Sequence, residues 1–217
     1  NADLAKVLME SKDIVETLFY IITGSAVVVG LWGWKKELRG RSKYDAAKNV
    51  IAGAYRVRDA INTTRSPFMS GGEYADRQGP ADEPKEEKDI RDSLYAYSKR
   101  YESVANAVSQ WYPAVVEAEA LFGEEARNKI KALLKSAGIL KGAIETYHRN
   151  VLRTAQSYLI QQPPNKFQGQ CTNIIFTLHP GLANSDEDRA NFDDGGFQVD
   201  LDTAVDGIRK HFEKFIK

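Results

Sequence analysis

From Ile90 to Tyr158, apolar and aromatic side chains recur at alternating steps of three and four. The first run is Ile90, Leu94, Tyr97, Tyr101, Val104, Val108, Trp111, Val115, Ala118 and Phe122. After Gly123 the second takes Ile130, Leu133, Ala137, Leu140, Ile144, Tyr147, Val151, Thr154 and Tyr158. Such spacing makes one apolar stripe on each of two long amphipathic helices. The connection at Gly123 is short, so the pair folds back as an antiparallel hairpin. A hairpin centred there sets Trp111 opposite Lys135–Gly138, where Ala137 and Gly138 leave room for the indole. Pro113 removes one backbone bond and bends the first helix near Ser109.

Two helices cannot bury this seam alone. Tyr44, Ala47, Ile51, Ala54 and Ile61, with Val50 and Val57 beside them, trace a third stripe. Leu201, Val205, Ile208, Phe212 and Phe215 trace a fourth. The predicted fold is all-α, with the long hairpin in a three- to four-helix bundle over residues 42–217. Ser42, three residues before Asp45, marks a helix start after Gly40. Arg65-Ser66-Pro67 ends that helix, because the residue before proline disfavours helical dihedrals. Arg58 falls on the third stripe, where it either meets a carboxylate or reaches to the edge. Residues 66–88 read as a mobile loop too polar to pack, and 162–200 as a second loop. Within the latter, Asn173–Leu178 reads as a short extended piece and Asp193-Asp194-Gly195-Gly196 as a turn.

The pattern changes near the start of the chain. Thr17 to Trp34 carries no charge, and eighteen helical residues rise about 27 Å, close to the hydrocarbon thickness of a bilayer. Tyr20, Trp32 and Trp34 lie near its two ends, where amphipathic rings favour the headgroup level. A buried core helix is rarely apolar all round. A cleaved signal peptide needs a basic start, whereas Asp3, Glu10, Asp13 and Glu16 outnumber Lys6 and Lys12. The run is therefore expected to be an N-terminal transmembrane helix, with residues 1–41 as segment and anchor. Ala26, Gly30 and Gly33 share one helix face, where another helix can approach closely. Lys35, Lys36, Arg39, Arg41 and Lys43 follow as a basic collar suited to anionic lipid. Positive-inside asymmetry then puts the N-terminus outside and the bulk in the cytoplasm of a bacterial inner membrane, single-pass.

Composition adds limits. The 217 residues hold 30 basic and 30 acidic side chains, so no net charge argues for nucleic acid. The charges are uneven: residues 35–65 hold nine basic against three acidic, and residues 186–206 eight acidic against one basic. One cysteine, Cys171, excludes an intrachain disulfide and fits a reducing compartment. Asp186, Glu187 and Asp188 lack the glycine and glutamate of a calcium loop, and Gly71-Gly72 lacks the end of a phosphate loop. His148, His179 and His211 pair with no nucleophile or metal-ligand spacing, and Glu117 and Glu119 imply no pocket for acid–base work. No catalytic constellation and no cofactor is read from the chain.

Trp34–Gly40, Tyr44 with Ala46-Ala47, Tyr55–Ile61, Arg65-Ser66-Pro67-Phe68 and Gly72-Glu73 together resemble a group of small, uncharacterised bacterial single-span membrane proteins. Glu117-Ala118-Glu119 and the tail from Phe197 through Ala204-Val205 to Ile216 extend the likeness over most of the chain. The resemblance implies an N-terminal anchor and a cytoplasmic helical body, and it brings no catalytic residue. Two functions are expected: a membrane-anchored scaffold or interaction protein, or an oligomeric membrane effector or pore subunit with the bundle as sensor. The expected partners are membrane lipid and either a protein or a second copy of the chain. The span has no ionisable residue to mark an ion pathway, which favours the scaffold.

Overall fold

Over the described residues both runs of the hairpin seam form helices, with Gly123 turning the chain between them, and the final Tyr158 lies outside those residues. The computed structural model describes residues 2–156, 171, 174–175 and 196–217, with side chains from residue 19 to 153 and at the later positions. Among these residues the chain is all-helical and has no strand. Its helices are α1 (Ala2–Thr64), α2 (Lys85–Phe122), α3 (Glu124–Gln156) and α4 (Phe197–Glu213), with a 3-10 turn at Gly71–Glu73. Gly123 adopts φ 76°, a left-handed conformation open to glycine, and its N–H closes α2 on the Glu119 carbonyl. Glu124 and Glu125 then begin α3, where carboxylates suit the positive end of the helix dipole.

The chain divides into two units, Asn1–Asp45 and Ala46–Lys217. The second is a helical bundle. Tyr97, Val104, Trp111, Val115 and Ala118 of α2 are buried with Ile130, Leu133, Ala137, Leu140 and Ile144 of α3. α3 also packs against α4, whose Leu201, Val205, Ile208 and Phe212 complete the core. The third stripe is displaced from its expected position. Ala46, Ala47, Val50, Ala54, Val57 and Ile61 are buried, whereas Tyr44 is exposed and Ile51 only half-buried.

Trp111 accounts for that rotation. Its indole Nε1 donates to the Val50 carbonyl at 3.0 Å, and its ring lies over Gly53, not over Ala137 and Gly138. A Cβ on Gly138 would meet nothing within 4 Å. The large-against-small match is real, but the small partner is on α1. Tyr101 takes the expected place, donating to the Ala137 carbonyl at 3.2 Å. α2 continues through Pro113, which lies on its exposed side.

Three further expectations are corrected. α1 does not restart at Ser42. It runs through Gly40, where one glycine costs about 1 kcal/mol and the Glu37–Arg41 ion pair at 2.6 Å bridges the position. Ile174 and Ile175 are helical rather than extended, and the rest of Asn173–Leu178 lies outside the described residues. Residues 66–84 are not a loose loop, because Arg77, Lys99 and Arg100 pin them by ion pairs.

No helix among the described residues is long and apolar enough to cross a membrane. The described side chains begin at Phe19, so Thr17 and Leu18, the first two residues of the uncharged run, lie outside them.

Candidate functional site

In the first unit, every described side chain from Phe19 to Trp34 is exposed. Ile22 is 67%, Val29 71% and Trp32 77% accessible, on a helix with no charge among them. The two small hydroxyl side chains described in this stretch are turned onto their own backbone. Thr23 Oγ1 donates to the Phe19 carbonyl at 2.8 Å and Ser25 Oγ to the Ile21 carbonyl at 2.5 Å. Both of these hydroxyls are thereby satisfied without water, which is the condition apolar surroundings impose.

Ala26, Gly30 and Gly33 are likewise exposed, and a Cβ on either glycine would meet nothing within 4 Å. At about 100° per residue these three lie about 100–160° around the helix from Trp32. The collar that follows is not uniform. Arg41 is held by Glu37 at 2.6 Å on the same side as the small residues. Lys35, Lys36 and Arg39 share the face of Trp32, and the four line a depression of about 360 Å³. Lys43 is exposed one turn beyond.

In the second unit the polar chemistry is structural. Arg100 donates to the Ser66 carbonyl at 2.6 Å, to the Phe68 carbonyl, and to both oxygens of Glu73 at 2.5 and 2.8 Å. The Arg100 guanidinium and the Ser70 amide hold the Glu73 carboxyl down at about 2. Arg77 bridges Glu83 and Asp92, all three largely buried, and Arg91 meets Glu83 at 3.0 Å. This strapping presents Phe68, 69% exposed, from a fixed loop.

His148 is 1% exposed between Tyr97 and Tyr147. Its Nδ1 donates to the Ile144 carbonyl at 2.8 Å, so Nε2 accepts from the Ser93 hydroxyl at 3.3 Å. Burial lowers its pKa and pushes the Tyr97 phenol up to about 12. The Ser93–His148 pair has the elements of nucleophile and base, but no substrate reaches so buried a ring. His211 is also buried and lowered, with Nδ1 3.2 Å from Glu125. The Cys171 thiol is buried and raised, which keeps it protonated and inert. Glu119 pairs with Arg127 at 3.1 Å, and Glu117 is exposed. Among the described residues no group of His, Cys, Asp and Glu could hold a metal ion. His179 and the cluster Asp186, Glu187 and Asp188 lie outside those residues. A groove of about 480 Å³ between α3 and α4 holds both signs, Lys129 and Lys135 with Asp200, and favours no one ligand charge.

Arg58, the off-pattern arginine, sits at the edge, paired with Asp59 at 2.8 Å and over the Tyr55 ring. The buried arginine is Arg65, which donates to the Ile174 carbonyl at 2.6 Å and to Gln198, and lies over the Phe197 ring. The sequence signal for the Arg77 and Arg100 anchors is the surplus of carboxylates near them, Glu73, Asp76, Glu83 and Asp92. No family model, curated protein or solved structure matches the chain.

Proposed function

We propose that the chain is a membrane-anchored helical scaffold. In this reading Thr17–Trp34 spans a bacterial inner membrane once and holds the bundle on the cytoplasmic side. The observation that carries it is the uncharged run whose described side chains are all exposed, ten of them large hydrophobics. In water such a surface is costly over this length, and lipid is the solvent that suits it. The inward-turned hydroxyls of Thr23 and Ser25 support the same environment. Orientation rests on five basic residues after the run against two before it. The resemblance to bacterial single-span membrane proteins points the same way.

A scaffold needs a partner surface. Phe68, held outward by Arg100, is suited to anchor a protein partner, since fixed exposed aromatics lose little entropy on binding. The pore or effector reading has less support, because residues 17–34 offer no ionisable group. The test is a reporter active only in the periplasm, fused to Lys217, together with alkaline carbonate extraction of membranes. The expected result is an inactive reporter and retention in the membrane pellet. Strong reporter activity would overturn the orientation, and release by carbonate would overturn the span.

A further inference from the structure

We propose that Trp32, Lys35, Lys36 and Arg39 form a binding site for the phosphodiester of an anionic lipid headgroup. This rests on the membrane-anchor reading and adds to it a specific subset of the collar. At about 100° per residue the four side chains fall within an arc of about 100° on one helix face. They span about 10 Å along the axis, the depth of a headgroup layer. Together they line a single depression of about 360 Å³. Trp32, 77% exposed, gives that depression an aromatic wall at its apolar end.

Charge pairing singles out the same three cations. Glu37 is the acid within this segment, and it is taken by Arg41 at 2.6 Å on the opposite side. Among the described residues Lys35, Lys36 and Arg39 have no carboxylate partner. Three unneutralised cations beside an interfacial tryptophan favour an anion, and a lipid phosphate is the anion found at that depth. The helix is thus two-sided. Ala26, Gly30, Gly33 and the Glu37–Arg41 pair occupy the face away from Trp32, so a helix packed there leaves the cationic face open to lipid.

The experiment uses the full chain in nanodiscs of phosphatidylcholine with a minor fraction of phosphatidylglycerol, released gently for native mass spectrometry of retained lipid. Wild type should retain phosphatidylglycerol in excess of its input. Each basic residue near the surface is worth about a fivefold preference, so joint Lys35→Gln, Lys36→Gln and Arg39→Gln should lose up to about a hundredfold. Glu37→Gln with Arg41→Gln should keep the enrichment. Wild type that stays in carbonate-washed membranes without enrichment overturns the site and leaves the anchor reading intact. Wild type released by carbonate overturns both. Enrichment lost equally in the Glu37/Arg41 variant reduces the collar to an unspecific charge and overturns the site. Displacement of the lipid by inorganic phosphate at matched concentration assigns the depression to free phosphate, and likewise overturns it.

Discussion

Gly53→Ala tests the packing on which the bundle turns. A Cβ at residue 53 would stand 1.9 Å from Trp111 Cδ1, 2.4 Å from Nε1 and 2.6 Å from Cγ. Ordinary carbon contact needs about 3.5 Å or more, so the indole has to move well over an ångström. It is 1% exposed and its N–H is bonded to the Val50 carbonyl. Overpacking a tight core costs about 1–3 kcal/mol. Stranding the buried indole donor adds about 1–3 kcal/mol. Against these, alanine gains about 1 kcal/mol of helix propensity over glycine. The net expectation is a loss of about 1–5 kcal/mol, or several degrees of melting temperature and upward for a chain of this size. Thermal unfolding followed by circular dichroism measures it. Gly142→Ala is the control, since its Cβ meets nothing within 4 Å, and it should stabilise by a fraction of 1 kcal/mol. Adding Trp111→Leu to Gly53→Ala should cost less than the sum of the two changes, because the clash disappears. A Gly53→Ala chain as stable as wild type would refute the close contact between α1 and α2.

Acid should unfold the bundle partly through Glu73. Its folded pKa of about 2 lies below the unbound 4.5, so its contribution is complete above pH 4.5 and is lost as pH falls toward 2. Glu73→Gln should flatten stability against pH in that window, and an unchanged slope would exclude the Arg100 contact as its source. His148 acts at higher pH. Burial lowers its pKa below the 6.5 of a free imidazole, so the unfolded chain takes the proton first and stability falls as pH drops below 6.5. His148→Phe, read by urea titration at several pH values, should remove that slope while losing the Ser93 hydrogen bond, worth about 1 kcal/mol. In bilayers, Gly30→Ile should weaken self-association by about 1–3 kcal/mol through backbone separation, whereas Val28→Ile, on the Trp32 side, should not. Equal oligomer populations in single-molecule counting would make the small-residue face a lipid-facing groove.

The hairpin was legible because its signal is local and repeated. Steps of three and four over Ile90–Phe122 and Ile130–Ile144 match the helical period, and Gly123 sits where only glycine turns easily. The stripe on α4 was legible for the same reason. Arg100 and Arg77 were not, since each meets groups that loop geometry alone brings close. Polar composition suggested a loose segment at 66–88, of which 85–88 already belong to α2. Mutual satisfaction of Glu73, Glu83 and Asp92 by those arginines makes it an ordered one. In the collar, the five cations could be read directly, but not their division into a paired Arg41 and a cluster of Lys35, Lys36 and Arg39.

By itself, then, the order of residues determined that the hairpin and the third and fourth stripes are helical, where the hairpin turns, and which stretch is apolar and uncharged. These properties depend on neighbours within one or two turns, so periodicity and composition report them. Tertiary structure decided what each helix face meets. Trp111 lies over Gly53 rather than Ala137, and Arg65 rather than Arg58 goes inside. Both outcomes depend on residues dozens of positions apart competing for one space, and a one-residue rotation of α1 exchanges Ile51 for Val50 in the core. No local pattern carries that information, because it arises only when close packing must be satisfied for all the helices at once.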